Sequence, residues 1–174
     1  RISPVEVLAK LRSVYPGGVQ TGGNSSALVD AAAAAVVASG AYARAEGKKP
    51  LARVVAAAVV GVAPEIMGIG PAPAIQLLLE RAGLKLDDIG RFEINEAQGA
   101  QTLAVGRELG LDLDKLNVNG GAIALGHPLA ATGVRLTITL ARELRRAGLR
   151  YGVSSACIGG GQGIALLLEN PDAA

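Results

Sequence analysis

The chain has 174 residues, half of them apolar, with one Phe, three Tyr, no Trp and a formal net charge of +2. That length suffices for one well-packed domain whose core rests on small aliphatic side chains brought close by abundant Gly. So few aromatic rings and so little net charge argue against a nucleic-acid, sugar or membrane-surface binder.

Ser3-Pro4 reads as the start of a helix reaching about Val14, with Ser as cap and Pro in the first position. Tyr15 to Ala27 is a polar Gly/Ser/Asn loop. The alanine run after Asp30 has helix propensity, yet Val36-Val37 before Gly40 suggests a strand that ends there. Ala41 to Glu46 follows as a short helix. Leu51 to Val62 is a nearly continuous apolar run, expected as a buried strand. Arg53 interrupts it, so no stretch is long enough to cross a bilayer.

Met67-Gly68-Ile69-Gly70-Pro71 is expected as a loop, with a helix from Pro71 through Ala82 that Gly83 ends. Arg91 to Ile94 is a short strand carrying Asn95 at its carboxyl end, and Ala97 to Leu109 is a helix stopped by Gly110. Asn117-Val118-Asn119 is a brief strand or turn. A long helix follows Pro128 to about Arg146, and the strands Tyr151 to Ala156 and Gly163 to Leu168 close the chain as a hairpin. Alternating strands and helices imply an α/β layered domain, its sheet mixed but mostly parallel and covered by helices. Residues 1–27 form a leading helix and loop, and 28–170 the domain proper.

Three reactive side chains lie at element boundaries. His127, the single histidine, stands between Gly126 and Pro128 before a long helix, where the positive helix terminus disfavours protonation. Kept neutral, it can take a thiol proton or donate to a carbonyl oxygen; a capping histidine is the plain alternative. Cys157, the single cysteine, precedes three glycines whose N–H groups can approach a ligand oxygen. A buried thiol acting as a hydrophobe is its alternative. Asn95 sits where α/β proteins place ligand groups, a position that also suits an ordinary helix cap.

Competing motifs fail. Gly121 to Gly126 has phosphate-loop spacing, but His127-Pro128 stands where Lys and Ser/Thr are required. The glycines at 159–163 lead into a strand, unlike a dinucleotide fingerprint. One His and one Cys are too few for a metal site, and a lone Cys forms no internal disulfide. Ser25 and Ser26 lack an acid–base partner nearby and read as loop residues able to touch a ligand. Lys48-Lys49 and Arg142, Arg145 and Arg146 read as solvated helix faces, with contact to an anionic phosphate-bearing ligand as the alternative.

Asn95-Glu96-Ala97, the run from Asn117 through Gly126-His127-Pro128, and Cys157-Ile158-Gly159-Gly160-Gly161-Gln162-Gly163 resemble the thiolases in order and spacing. Thr21 to Ser26 and Met67 to Pro71 are similar to thiolase segments that line the CoA and acyl pocket. The resemblance covers nearly the whole chain and implies the carboxyl-terminal half of the family's α-β-α-β-α fold. It implies that His127 activates a nucleophilic cysteine supplied by an amino-terminal half, in the same chain or another. A water held by Asn95 joins His127 in binding the thioester oxygen. The resemblance further implies that Cys157 is the acid/base at the acyl-CoA α-carbon and that the Gly159 N–H helps to bind the acyl-enzyme oxyanion. Ser26, Met67 and Gln98 are implied contacts for CoA and the acyl chain.

Three departures stand out. Gln98 and Gly99 replace the family's usual Phe and Ala, removing a bulky wall and with it the basis for reading acyl preference. Val29-Asp30-Ala31 replaces Asn-Asp-Gly, and Ala130-Ala131-Thr132-Gly133 replaces Gly-Ala-Ser-Gly. The reaction expected is CoA-dependent cleavage of a 3-ketoacyl-CoA or the reverse condensation, in fatty acid metabolism. It needs no cofactor or metal beyond coenzyme A as substrate, and a homo-oligomer is expected. A ketoacyl-synthase-like enzyme is disfavoured because Cys157 stands where those usually present His or Asn. A non-catalytic acyl-CoA-binding subunit is the remaining alternative. The chain opens directly on Arg1-Ile2-Ser3-Pro4, which suggests a piece of something longer, and with no export signal in view the cytoplasm is the expected compartment.

Overall fold

The computed structural model describes residues 3–173. Its centre is a four-stranded sheet in the order β1-β4-β3-β2, formed by β1 (Arg53–Gly61), β2 (Arg91–Ile94), β3 (Tyr151–Ile158) and β4 (Gln162–Glu169). Helix α3 (Pro71–Ala82) packs on one face and α6 (Thr132–Ala147) on the other. The α/β class holds. The share of parallel pairing is smaller than expected: β2 and β3 run parallel, whereas β4 is antiparallel to both β3 and β1. Hydropathy cannot show strand direction, and the tight β3–β4 hairpin inserts a reversed strand between β1 and β3.

Alternation along the strands builds a core on each face. Phe92, Ile94, Val153, Ala165 and Leu167 meet Ile75, Leu78 and Leu79 of α3. On the opposite face Leu168 meets Leu140, Ala141 and Leu144 of α6. At Gly152 an added Cβ would press on Leu140 and Leu144, so glycine there lets α6 lie directly on β3. β1 was expected to be buried, but only Ala58 of its residues is. It is an edge strand paired with β4 alone, and α3 covers one of its faces.

The other elements are α1 (Val5–Leu8), α2 (Gly40–Ala45), α4 (Gly99–Leu109) and α5 (Ala122–Leu125). Helix α1 is far shorter than expected and is preceded by Pro4 rather than capped by Ser3. Beyond it, Ser13 bridges Thr21 and the Val14 N–H donates to Gln20 O, because Pro16-Gly17-Gly18 turns the chain back. The strand expected to end at Gly40 is absent: residues 31–39 have no regular structure and are exposed throughout. The Ser39 hydroxyl caps α2 by accepting from the Tyr42 N–H. Met67 to Ile69, expected as loop, complete a 3₁₀ turn over Pro64–Ile69.

Candidate active site

The parallel pair β2–β3 brings its two carboxyl ends to one end of the sheet. Asn95 follows the last residue of β2, and its N–H donates to Ser155 O at 2.9 Å, two residues before Cys157. His127 reaches the same place from the segment between α5 and α6. Its N–H donates to Ala27 O at 2.7 Å, and Leu28 bridges His127 in parallel. Asn95 Nδ2 and His127 Nε2 are 3.3 Å apart.

The hydrogen bonds of the ring set its tautomer. Thr132 Oγ1 donates to Pro128 O at 3.3 Å and therefore accepts from His127 Nδ1–H at 2.7 Å. Nε2 is left with its lone pair and accepts from the Asn95 amide. Burial, and then the Arg135 guanidinium, push the His127 pKa below its ordinary value. The imidazole is thus a neutral base with Nε2 as its working atom. The helix terminus expected to keep it neutral is not the main cause, since α6 begins only at Thr132. Asn95 is buried, and its Oδ1 finds no partner among the described residues.

Cys157 lies one strand over, near the end of β3 and opposite Gly163 of β4. Strand alternation turns it to the face of Val153, toward the 3₁₀ turn that contains Met67, and no hydrogen bond joins it to His127 or Asn95. Burial raises its thiol pKa, so the proton stays on sulfur at neutral pH. Beyond it, Gly159 and Gly160 are exposed, and a side chain added at either would meet nothing. The turn is pinned from behind: the Val62 N–H donates to Gly161 O at 2.8 Å. Gly163 crosses Gly70 so closely that a Cβ on Gly163 would collide with the Gly70 carbonyl.

Ser26 and Gln98 join the Asn95 side. The Ser26 N–H and hydroxyl both donate to Ala97 O, at 3.1 and 3.2 Å, while Ser25 bridges Gln98. The Gly99 N–H donates to Asn24 O at 2.7 Å. Met67 is half-buried on the Cys157 side. The seven residues singled out from sequence therefore divide into the hydrogen-bonded pair Asn95–His127, with Ser26 and Gln98 on the segments that meet just beyond Asn95, and a second group (Cys157, Gly159, Met67) around the turn after β3.

Three residues in or beside the site escaped the sequence reading. Thr132, which orients His127, differed from the family run but carried no role of its own. Glu96 was read only as part of a motif, and Asn117 as part of a strand or turn. Two of the basic residues weighed for an anionic ligand are otherwise engaged: Arg145 donates to Asp172, Pro50 O and Leu51 O, and Arg146 to Glu143. Two shallow hollows, one lined by Leu8 and Leu11 and one by Ile69 and Leu103, include none of His127, Asn95 or Cys157. Chemistry rather than concavity marks the site. No helix among the described residues is long and apolar enough to cross a membrane.

A family profile described as "Thiolase, C-terminal domain" matches residues 48–170. The chain belongs to the thiolase family. It is 52% identical over 167 residues to the human mitochondrial 3-ketoacyl-CoA thiolase, covering 95% of this chain and 42% of that protein. To the acetyl-CoA acetyltransferase of Escherichia coli (strain K12) it is 49% identical over 168 residues, or 96% of this chain and 43% of that one. The crystal structure of the human mitochondrial enzyme superposes with a TM-score of 0.90 at 47% identity, over 97% of this chain and 43% of that chain. Another crystal structure of that enzyme, in complex with CoA, superposes equally well. This thiolase chain thus spans about two fifths of the length of the relatives it matches.

Proposed function

We propose that this chain is the carboxyl-terminal part of a thiolase that cleaves 3-ketoacyl-CoA with coenzyme A, or runs the reverse condensation, together with an amino-terminal half carrying the nucleophilic cysteine. The observation that carries the reading is the neutral His127, its Nδ1 committed to Thr132 and its Nε2 held by Asn95 at the end of the sheet where the Cys157 thiol also sits. In cleavage, His127 Nε2 takes the proton of the nucleophilic thiol, and the thiolate attacks the 3-keto carbon. The bond between Cα and that carbon breaks, and its electron pair leaves as the acetyl-CoA enolate. Cys157, half-buried and protonated because burial raises its thiol pKa, delivers its proton to Cα of the enolate, completing acetyl-CoA. Free CoA gives its thiol proton to the Cys157 thiolate and attacks the acyl-enzyme carbonyl; the acyl–sulfur bond to the nucleophile breaks, and that sulfur recovers its proton from His127.

The charge that develops needs donors already in place. His127, once protonated at Nε2, supplies one to the thioester oxygen. The unpartnered Asn95 Oδ1 supports a water in the same position. The open surroundings of Gly159 suit an N–H that approaches the acyl-enzyme oxyanion. Ser26, Met67 and Gln98 are the contacts this reading assigns to CoA and the acyl chain; a neighbour of the same fold has been solved in complex with CoA. The amino-terminal half is supported by the apolar surface that this chain leaves uncovered. Val36 and Val37 are 95% and 87% exposed in a segment with no regular structure and no strand partner among the described residues, apolar surface of the kind a partner covers.

The test is Cys157→Ala in the assembled enzyme. Thiolysis should fall at least about a thousandfold, while acylation of the nucleophilic cysteine stays measurable by mass spectrometry. Normal thiolysis in that variant would refute the assignment of Cys157. Acylation lost together with turnover would place Cys157 in the wrong step.

A further inference from the structure

We propose that Asn117, acting through Glu96, is a positioning residue that sets Asn95 against His127; the inference rests on the functional reading above. Asn117 is the only non-glycine residue among those described with a left-handed backbone, φ 48°, and it is 9% exposed. Its N–H donates to Phe92 O at 2.9 Å, continuing the parallel bridge between Leu116 and Phe92. The left-handed turn then directs its carboxamide at Ile94, whose N–H donates to Asn117 Oδ1 and whose carbonyl accepts from Nδ2, both at 2.9 Å. The side chain thus replaces the peptide group that a further strand would have offered at that point.

The same Nδ2 also donates to Glu96 Oε1 at 2.9 Å. One carboxamide therefore holds both neighbours of Asn95. The second oxygen of Glu96 accepts from the Ile123 N–H at 3.1 Å, in the short helix that ends at Gly126, immediately before His127. Gly121 leaves the space that the Glu96 carboxylate fills, since a Cβ there would displace it. A closed circuit results: hydrogen bonds join Ile94 and Glu96 to Asn117 and Glu96 to α5, the chain runs from α5 through Gly126 to His127, and His127 is bonded back to Asn95. The loop is anchored a second time where Asn119 Nδ2 donates to Glu143 Oε2 at 3.0 Å. Aspartate at 117 would keep the bond from the Ile94 N–H, lose both donated bonds and set a carboxylate against Glu96.

His127 is the single histidine, so a 15N-histidine label placed in this chain reports on one imidazole without assignment. The measurement is its 15N spectrum and titration, in the chain alone or assembled with its amino-terminal half. Asn95→Ala is the reference for loss of the contact. Losing a donor to the Nε2 lone pair should move the Nε2 resonance and raise the titration midpoint by about half a pH unit. Asn117→Gly accepts the left-handed backbone, and Gly121→Ala displaces Glu96. Both keep the charge and leave in place Arg135 and the buried Glu93 carboxylate that pairs with it, and both should reproduce the Asn95→Ala spectrum with the methyl spectrum of the core unchanged. Wild-type imidazole signals in both folded variants, with Asn95→Ala shifted, would overturn the positioning role. So would loss of the folded methyl spectrum in both, which would assign Asn117 and Glu96 to stability instead. The reading beneath fails separately, if Asn95→Ala leaves thiolysis by the assembled enzyme unchanged.

Discussion

Helix α3 and residues 31–39 are both rich in alanine and aliphatic side chains, and they meet opposite fates. In α3, Ala72, Ala74, Ile75 and Leu78 are fully buried against the sheet. In 31–39 every residue is exposed, and Val36 is 95% so. The difference lies in what each segment has to lie against. Helix α3 presents its apolar stripe to strands of the same chain. The 31–39 segment faces no sheet edge within the described residues, and the chain spans only about two fifths of its relatives. Apolar composition predicts that a segment will be covered, without saying by which part of the complete protein.

Substitutions can break or sharpen that contrast. The largest effect is expected for Phe92→Ala, which empties the largest fully buried site between β2 and α3. It should cost roughly 3–5 kcal/mol in urea unfolding; a loss below about 1 kcal/mol would show that the α3 face is not the stabilising core.

An intermediate effect is expected on the α6 face, at Glu93. Burial, opposed by Arg135, pushes its pKa up to about 7 from 4.5. The folded state then binds more protons than the unfolded one between those values, so stability falls as pH rises through that window. Glu93→Gln keeps an acceptor for Arg135 and should flatten the slope, measured as urea midpoints at about pH 5 and about pH 8. An unchanged slope would assign the pH dependence elsewhere.

The smallest effect is expected for Val36→Asp in the isolated chain, within about 0.5 kcal/mol of wild type. The same change should prevent co-elution with the amino-terminal half. Co-elution at wild-type levels would remove 31–39 from the proposed contact.

Much of this was legible because the relevant signals are local. Pro71 and Gly83 bracket α3 as expected, and Gly110 and Gly148 end α4 and α6 in the left-handed conformation that glycine supplies. Arg91–Ile94 and the β3–β4 hairpin also follow the reading, since short β-rich runs bounded by glycine have few alternatives. The errors fall where a segment's partner is distant or outside the chain. Helix α1 stops at Leu8 because Ser13 and Val14 pair with the returning loop. β1 is exposed because only β4 adjoins it, and the sheet is less parallel than alternation implied because a hairpin strand lies within it.

The site shows the same division. Chemical identity alone singled out His127, Cys157 and Asn95, as each is a rare or boundary-placed reactive group. Thr132, Glu96 and Asn117 are ordinary polar residues in the sequence and matter only through the atoms they face.

The order of residues determined where helices stop, which strands exist and which side chains are able to move a proton. Those properties depend on backbone preference and functional-group chemistry within a few positions. Only the tertiary structure decided that His127 holds its proton on Nδ1 and that Asn117 binds both neighbours of Asn95. Hydrogen bonds at 2.7–2.9 Å between residues as far as 23 positions apart depend on how the sheet and its loops pack, a geometry that no local pattern encodes.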